Sequence, residues 1–188
     1  DWVSPVGNLY ASTLVRIGAG DPQAATLAFV AAVALEEVAS AYADPASLRL
    51  KWPNDLMFDG AKLSGILLER SGQAVVVGIG VNLAMHPTDL DRAVTSLAAS
   101  GFGAPDPALF LADLAEAFER WLAIWRRDLS AVLTRWQARA HPRGTALSVR
   151  LPGGGVQDGL FDGLDGDGAL RLRLADGVIE TIHAGDVF

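Results

Sequence analysis

Two lysines and an aspartate stand within one short stretch of this chain. The run Lys51-Trp52-Pro53-Asn54-Asp55 is followed by Lys62-Leu63-Ser64-Gly65-Ile66-Leu67-Leu68-Glu69. Lysine is a compact point charge with mobile donors, suited to phosphate oxygens, and aspartate is a hard oxygen ligand for Mg²⁺. Gly65 lets backbone or ligand approach where a Cβ would intrude. On neighbouring strands these are the parts of a nucleotide-activating site. The same residues also fit a surface hairpin, its lysines lying along apolar surface and its Pro-Asn-Asp forming a turn. Spacing leaves both readings open.

The elements that must position these groups follow from hydropathy. Residues 3–17 read as a loop entering a strand. Asp21-Pro22 is a helix start, and the apolar residues Leu27, Val30, Ala34, Leu35, Val38 and Tyr42 recur at the spacing of one helical face before Asp44-Pro45 ends it. In Leu48-Arg49-Leu50-Lys51-Trp52 apolar and cationic residues alternate, as in a strand with one cationic face. Asp59-Gly60 signals a turn. Residues 62–68 and 75–83 are nearly continuous apolar runs, as expected of strands covered on both faces. A second helix starts at Asp106-Pro107 and carries Leu111, Leu114, Phe118, Trp121, Leu122 and Trp125 on one side. A third, over residues 129–140, buries Val132, Leu133 and Trp136. The tryptophans of these helices and Trp52 read as core. Arg126-Arg127 reads as the charge complement of a helix C-terminus.

Composition shifts near His141-Pro142. From Thr145 to Phe188 four strand patterns alternate with the turn clusters Pro152-Gly153-Gly154-Gly155, Asp165-Gly166-Asp167-Gly168 and Asp176-Gly177. Closely spaced strands with tight turns suggest a small closed barrel. The expected division is 1–142 for a main domain and 143–188 for the barrel.

With 51% hydrophobic and 20% charged residues the chain can bury a real core, and its net charge of −7 argues against a general nucleic-acid binder. With no cysteine there is no disulfide, thiolate metal site or Cys nucleophile, which suits the cytoplasm. His86, His141 and His183 lack the spacing of a metal site. No apolar run approaches the ~20 residues of a membrane-spanning helix. The absence of an initiator Met and of a signal-like start reads as a chain beginning mid-domain.

Residues 51–55 with 62–69 resemble the signature of the biotin–protein ligase family. Val77-Gly78-Ile79-Gly80-Val81-Asn82-Leu83 resembles that family's next motif, and Trp2-Val3-Ser4-Pro5 with Gly7-Asn8-Leu9-Tyr10 resembles the stretch after its biotin-binding loop. The resemblance implies an α/β fold with a class II synthetase-like mixed, largely antiparallel sheet, packed helices and a C-terminal SH3-like barrel. It implies an ATP-dependent ligase that makes biotinyl-5′-AMP and transfers biotin to a lysine of a biotin carboxyl carrier domain, with no membrane or nucleic-acid contact from this chain and a plausible homodimer. By the same resemblance Lys62 holds the biotin carboxylate and α-phosphate and Lys51 is a second phosphate contact. Asp55, with Asn54 and Asn82, holds Mg²⁺ or the nucleotide; Gly78 and Gly80 let backbone approach biotin; Trp2 covers the nucleotide. Two bland alternatives stand beside these roles: Gly78 and Gly80 also fit a strand bend, and Asn82 a strand-end turn. The family's Arg/Gly-rich loop would lie before Asp1. Rival readings are a lipoate or octanoate ligase or transferase of the same fold and a non-catalytic biotin sensor. The tail 143–188 is expected to be dispensable for folding of the core but to contribute to catalysis.

Overall fold

The computed structural model describes residues 4–88 and 90–188. In chain order its elements are β1 (Leu9–Arg16), a 3₁₀ turn (Ala24–Thr26), α1 (Leu27–Ala39), β2 (Leu48–Lys51), β3 (Asp55–Phe58), β4 (Ala61–Ser71), β5 (Ala74–Val81), α2 (Pro107–Arg127), α3 (Leu129–Arg139), β6 (Ala146–Arg150), β7 (Val156–Leu164), β8 (Leu170–Arg173), β9 (Ile179–Ile182) and β10 (Asp186–Val187). The first sheet has the order β1-β5-β4-β3-β2, with every named pair antiparallel. Single parallel bridges join Leu50 to Ala140 and Lys62 to Val94. The fold is α/β, a sheet with helices against it and a second, SH3-like sheet at the C-terminus.

α1 is the centre of the core. Eleven of its thirteen residues are buried, because the sheet lies on one side and α2 and α3 on the other. A helix so enclosed needs no polar face. Its boundaries differ from those the sequence suggests. Asp21 accepts from the Gly18 N–H at 2.9 Å and so closes a turn instead of capping the helix. At the true N-cap, the Thr26 hydroxyl donates to the Gln23 carbonyl and accepts from the Trp125 indole at 2.7 Å, so a tertiary partner takes the oxygen that would have capped. The helix also stops at Ala39, before Asp44-Pro45. In α2 the Asp106 carboxylate caps Ala108 and Leu109 as expected. Leu111, however, is 41% exposed, and Phe110 takes the buried place on the stripe that continues through Leu114, Phe118 and Trp125.

Asp59-Gly60 forms the tight turn between β3 and β4, both residues at positive φ (47° and 79°). The long apolar runs of β4 and β5 are not covered on both faces. In β5, Val75, Val77, Ile79 and Val81 are buried while the alternate positions are only partly so, and Leu67 on β4 is 63% exposed. The open-face residues Val76, Gly78, Gly80 and Leu67 are themselves apolar, which hides the alternation from a reading of hydropathy.

The second sheet has the order β10-β6-β7-β8-β9 and gains a fifth, two-residue strand, β10, beyond the four patterns in the sequence. Among the described residues no ladder joins β9 to β10. The expected closed barrel is therefore open along that seam, with Leu147, Val149, Phe161, Leu170, Leu172 and Val187 buried inside it.

This sheet packs against the main core. The buried Trp52 indole donates to the Gly168 carbonyl at 3.2 Å, and the Gln137 side chain accepts from the Leu164 N–H at 3.1 Å. Gly168, at φ 84°, lies so close to Phe29 that a Cβ would sit 2.3 Å from its ring. Two large aromatic side chains of the main core are thus in contact with the second sheet.

Candidate active site

The antiparallel registers put one residue from each strand of the first sheet into a single row. Lys51 (β2) pairs with Asp55 (β3), Asp55 with Gly65 (β4), Gly65 with Gly80 (β5), and Gly80 with Tyr10 (β1). Directly paired residues project from the same face, and here it is the face away from α1. In the neighbouring row Gly78 stands between Leu67 and Ser12. The centre of the face is therefore floored by three glycines. A Cβ at Gly78 or Gly80 would meet only ordinary contacts, 3.6 Å from the Leu67 carbonyl oxygen and 3.7 Å from the Tyr10 ring. The floor is a trough, with Tyr10 at one end and charge at the other.

The charged end is built around Asp55, whose side chain is 4% exposed. Its Oδ1 accepts from the Lys62 ammonium, and Lys51 Nζ lies 3.5 Å from its Oδ2. A bulge between Leu56 and Met57 shifts the β3–β4 register near the start of β4, and Lys62 reaches back across Gly65. A Cβ on Gly65 would lie 3.1 Å from Lys62 Nζ, so the glycine leaves the ammonium its place. Lys51 is fixed a second time by donating to the Val187 carbonyl at 2.8 Å. Two ammonium groups share one carboxylate, leaving one net positive charge at the edge of an apolar trough. That arrangement can neutralise and align an anion.

The structure thus brings Lys51, Asp55, Lys62, Gly65, Gly78 and Gly80 onto one face. The side-chain amides of the two asparagines bond to backbone carbonyls. Asn54 Nδ2 donates to the Ile66 carbonyl at 2.6 Å while its own carbonyl accepts from the Ile66 N–H, which locks the β2–β3 turn to β4. Asn82 Nδ2 donates to the Thr95 carbonyl at 3.0 Å, and its backbone bonds to Leu63 and Leu97, tying residues 95–97 to the strand ends. Through these bonds both asparagines brace the strand ends. Trp2 lies outside the described residues. Trp52 is core, as its apolar setting suggests.

The residues do not fit a resident Mg²⁺ on Asp55. Both of its oxygens face ammonium groups, and a dication there would meet two like charges. Among the described residues no group of three or more acidic or histidine side chains could hold a metal. Asp55 is a counter-charge that orients lysines.

Some parts of the site carry no chemical signature in the sequence. Asn8, buried, accepts from the Ala84 and Met85 N–H groups and donates to the Met85 carbonyl, so it shapes the loop after β5. Its only signal was its place in the Gly7-Asn8-Leu9-Tyr10 stretch. His141 stands beside Lys51 across the Leu50–Ala140 bridge; burial, then the charges of Lys51 and Arg49, push its pKa below the ordinary value.

Comparison with known proteins bears directly on this geometry. Residues 1–84 match the Biotin/lipoate A/B protein ligase family and residues 148–188 the biotin protein ligase C-terminal domain. A biotin–[acetyl-CoA-carboxylase] ligase of Paracoccus denitrificans is 40% identical over 100% of this chain and 82% of its own length. The chain belongs to the biotin–protein ligase family. A ligase of the same name from Mycobacterium tuberculosis is 35% identical over 76% of the chain, which spans 53% of that relative. In fold, the biotin protein ligase of Aquifex aeolicus in complex with biotin and ATP superposes with a TM-score of 0.86 at 24% identity, covering 100% of this chain and 80% of that one. The chain is an enzyme of the biotin–[acetyl-CoA-carboxylase] ligase type, and the family's chemistry is biotin ligation. No helix among the described residues is long and apolar enough to cross a membrane.

Proposed function

We propose that this chain joins biotin to AMP and passes the biotinyl group to a lysine of a biotin carboxyl carrier domain. The observation that carries the reading is the pair of ammonium groups on one buried carboxylate at the charged end of a glycine-floored trough. Biotin's fused rings lie over Gly78 and Gly80 and its carboxylate reaches Lys62. A carboxylate oxygen attacks the α-phosphorus of ATP, and the bond to the β-phosphate oxygen breaks, releasing pyrophosphate. Two anions must come together in this step, so the fixed charges of Lys62 and Lys51 lower its barrier by position and field. The carrier's lysine amine, deprotonated, then attacks the acyl carbon. AMP leaves with the bonding electron pair, and an amide remains.

The match of residues 148–188 to a biotin ligase C-terminal domain favours biotin over lipoate. We assign residues 1–142 to the catalytic unit and 143–188 to a second unit that serves it by holding Lys51 through Val187. The test is Lys62→Ala in the full-length protein, read as ATP–pyrophosphate exchange. Adenylate formation should fall at least ~10²-fold, the scale for losing one preorganised electrostatic contact. An unchanged rate removes Lys62 from the mechanism.

A further inference from the structure

Lysine is ordinarily among the commonest residues and stands almost always in solvent. This chain departs from both habits. Of its 15 lysine and arginine residues only Lys51 and Lys62 are lysine, and these are the pair held on Asp55. Their side chains are only 17% and 21% exposed. The cations that face solvent are guanidinium groups, among them Arg16 and Arg70 at one end of the first sheet, Arg120 on α2, and Arg150 and Arg173 on the second sheet. Arg16 stands on the trough's own face, because Tyr10, Ser12, Leu14 and Arg16 alternate along β1 and pair in turn with Gly80, Gly78, Val76 and Ala74. The chain has no cysteine, so it carries no thiol either.

We propose that residues 1–188 present a surface that the enzyme's own activated acyl group cannot modify. The proposal rests on the adenylation reading, since it concerns what a mixed anhydride does to the protein that makes it. A free amine attacks the acyl carbon, the bond from that carbon to the phosphate oxygen breaks, AMP leaves with the electron pair, and the new amide nitrogen gives up its proton to water. A thiolate would react in the same way. A guanidinium does not, because it stays protonated and its nitrogen electrons are delocalised. Arginine therefore supplies positive charge without supplying a nucleophile. The two amines that the chemistry needs are occupied as ammonium groups, Lys62 by Asp55 and Lys51 by Asp55 and the Val187 carbonyl, and an ammonium has no lone pair to attack with. No side-chain amine of these residues then competes with the lysine that the carrier brings.

The test incubates the full-length protein with biotin and ATP, without carrier, and reads biotin incorporation by mass spectrometry, peptide by peptide, across residues 1–188. The wild type should stay unlabelled there, at Lys51 and Lys62 as elsewhere. Arg16→Lys and Arg173→Lys keep the charge at exposed positions, so both should melt with the parent and each should gain biotin at the substituted position. That labelling should rise about tenfold per pH unit between about pH 7 and 9, because the free-amine fraction of an exposed lysine with a pKa of ~10.4 rises by that factor. Arg16→Gln should remain unlabelled at every pH. ATP–pyrophosphate exchange, run on the same samples, reports whether adenylate forms. Labelling of the wild type at Lys51 or Lys62 would overturn the proposal. So would unlabelled lysine variants in the presence of exchange, since an adenylate that never meets the surface needs no inert surface. If no exchange occurs, the adenylation reading falls, and synthetic biotinyl-5′-AMP added to the same proteins decides the surface proposal alone: it stands if only the lysine variants are labelled and falls otherwise.

Discussion

Glu36 offers the sharpest quantitative test of how this fold is held. It sits in the last turn of α1 with 0% exposure and no acidic neighbour in its cluster, and it accepts from Arg135 at 2.6 Å, Arg139 at 2.5 Å and the Ser40 hydroxyl at 2.9 Å. Arg139 also donates to the Pro45 carbonyl at 2.8 Å, so one carboxylate gathers α1, α3 and the loop leading to β2. Glu36→Gln keeps the shape and removes the charge, leaving two guanidinium groups without their counter-charge. Removing one partner of a buried pair costs about 3–5 kcal/mol. The arginines are 33% and 23% exposed, so water takes up part of the loss and the lower end, ~3 kcal/mol, applies. For a chain of 188 residues that corresponds to a fall in Tm of about 6–12 °C. Thermal and urea unfolding measure it directly. The triple replacement Glu36→Leu, Arg135→Met, Arg139→Leu should recover much of the loss, because a well-packed apolar substitute spares the desolvation that the pair required. A Glu36→Gln loss below ~1 kcal/mol would refute the argument that this cluster anchors α3 to α1.

Gly80→Val should leave Tm nearly unchanged, since its Cβ meets only the Tyr10 ring at 3.7 Å, yet lower biotin affinity at least ~10-fold by filling the trough; scanning calorimetry reads the first and titration calorimetry the second. Deleting residues 143–188 uncovers Trp52 and Phe29. Aromatic side chains bury about 150–250 Å² each, so half-uncovering the two costs on the order of 5 kcal/mol at ~25 cal/mol per Å², and a truncated core that melts with the parent would contradict the interface described above. Burial, with Lys51 and Arg49 beside it, holds the His141 pKa below the ordinary value of 6.5. The unfolded chain then takes up a proton first as pH falls through 6.5, so this group's contribution is lost on acidification and is flat above it. His141→Gln should remove that part of the acid-side decline in Tm between pH 7 and 5.

What could be read from the sequence was local. The Asp59-Gly60 turn, the Asp106-Pro107 cap, the Trp136 stripe and the cationic alternation of β2 each depend on residues close together in the chain, where propensity and period act directly. Lys51, Asp55 and Lys62 were also legible as a set, because the hairpin that unites them is only a few residues long.

Tertiary structure decided what depends on partners far apart in sequence. Hydropathy could not tell that one face of β4 and β5 stays open, since its glycines, Val76 and Leu67 are as apolar as the buried face. Composition could not assign Asn54 and Asn82 to bracing, because an amide's role is set by whichever carbonyl lies opposite it. Nor could spacing show that Asp55 spends both oxygens on ammonium groups, or that Lys51 is held by a carbonyl 136 residues away. Short-range geometry is written into neighbouring residues; the charge balance of a site is written only by what the fold brings to it.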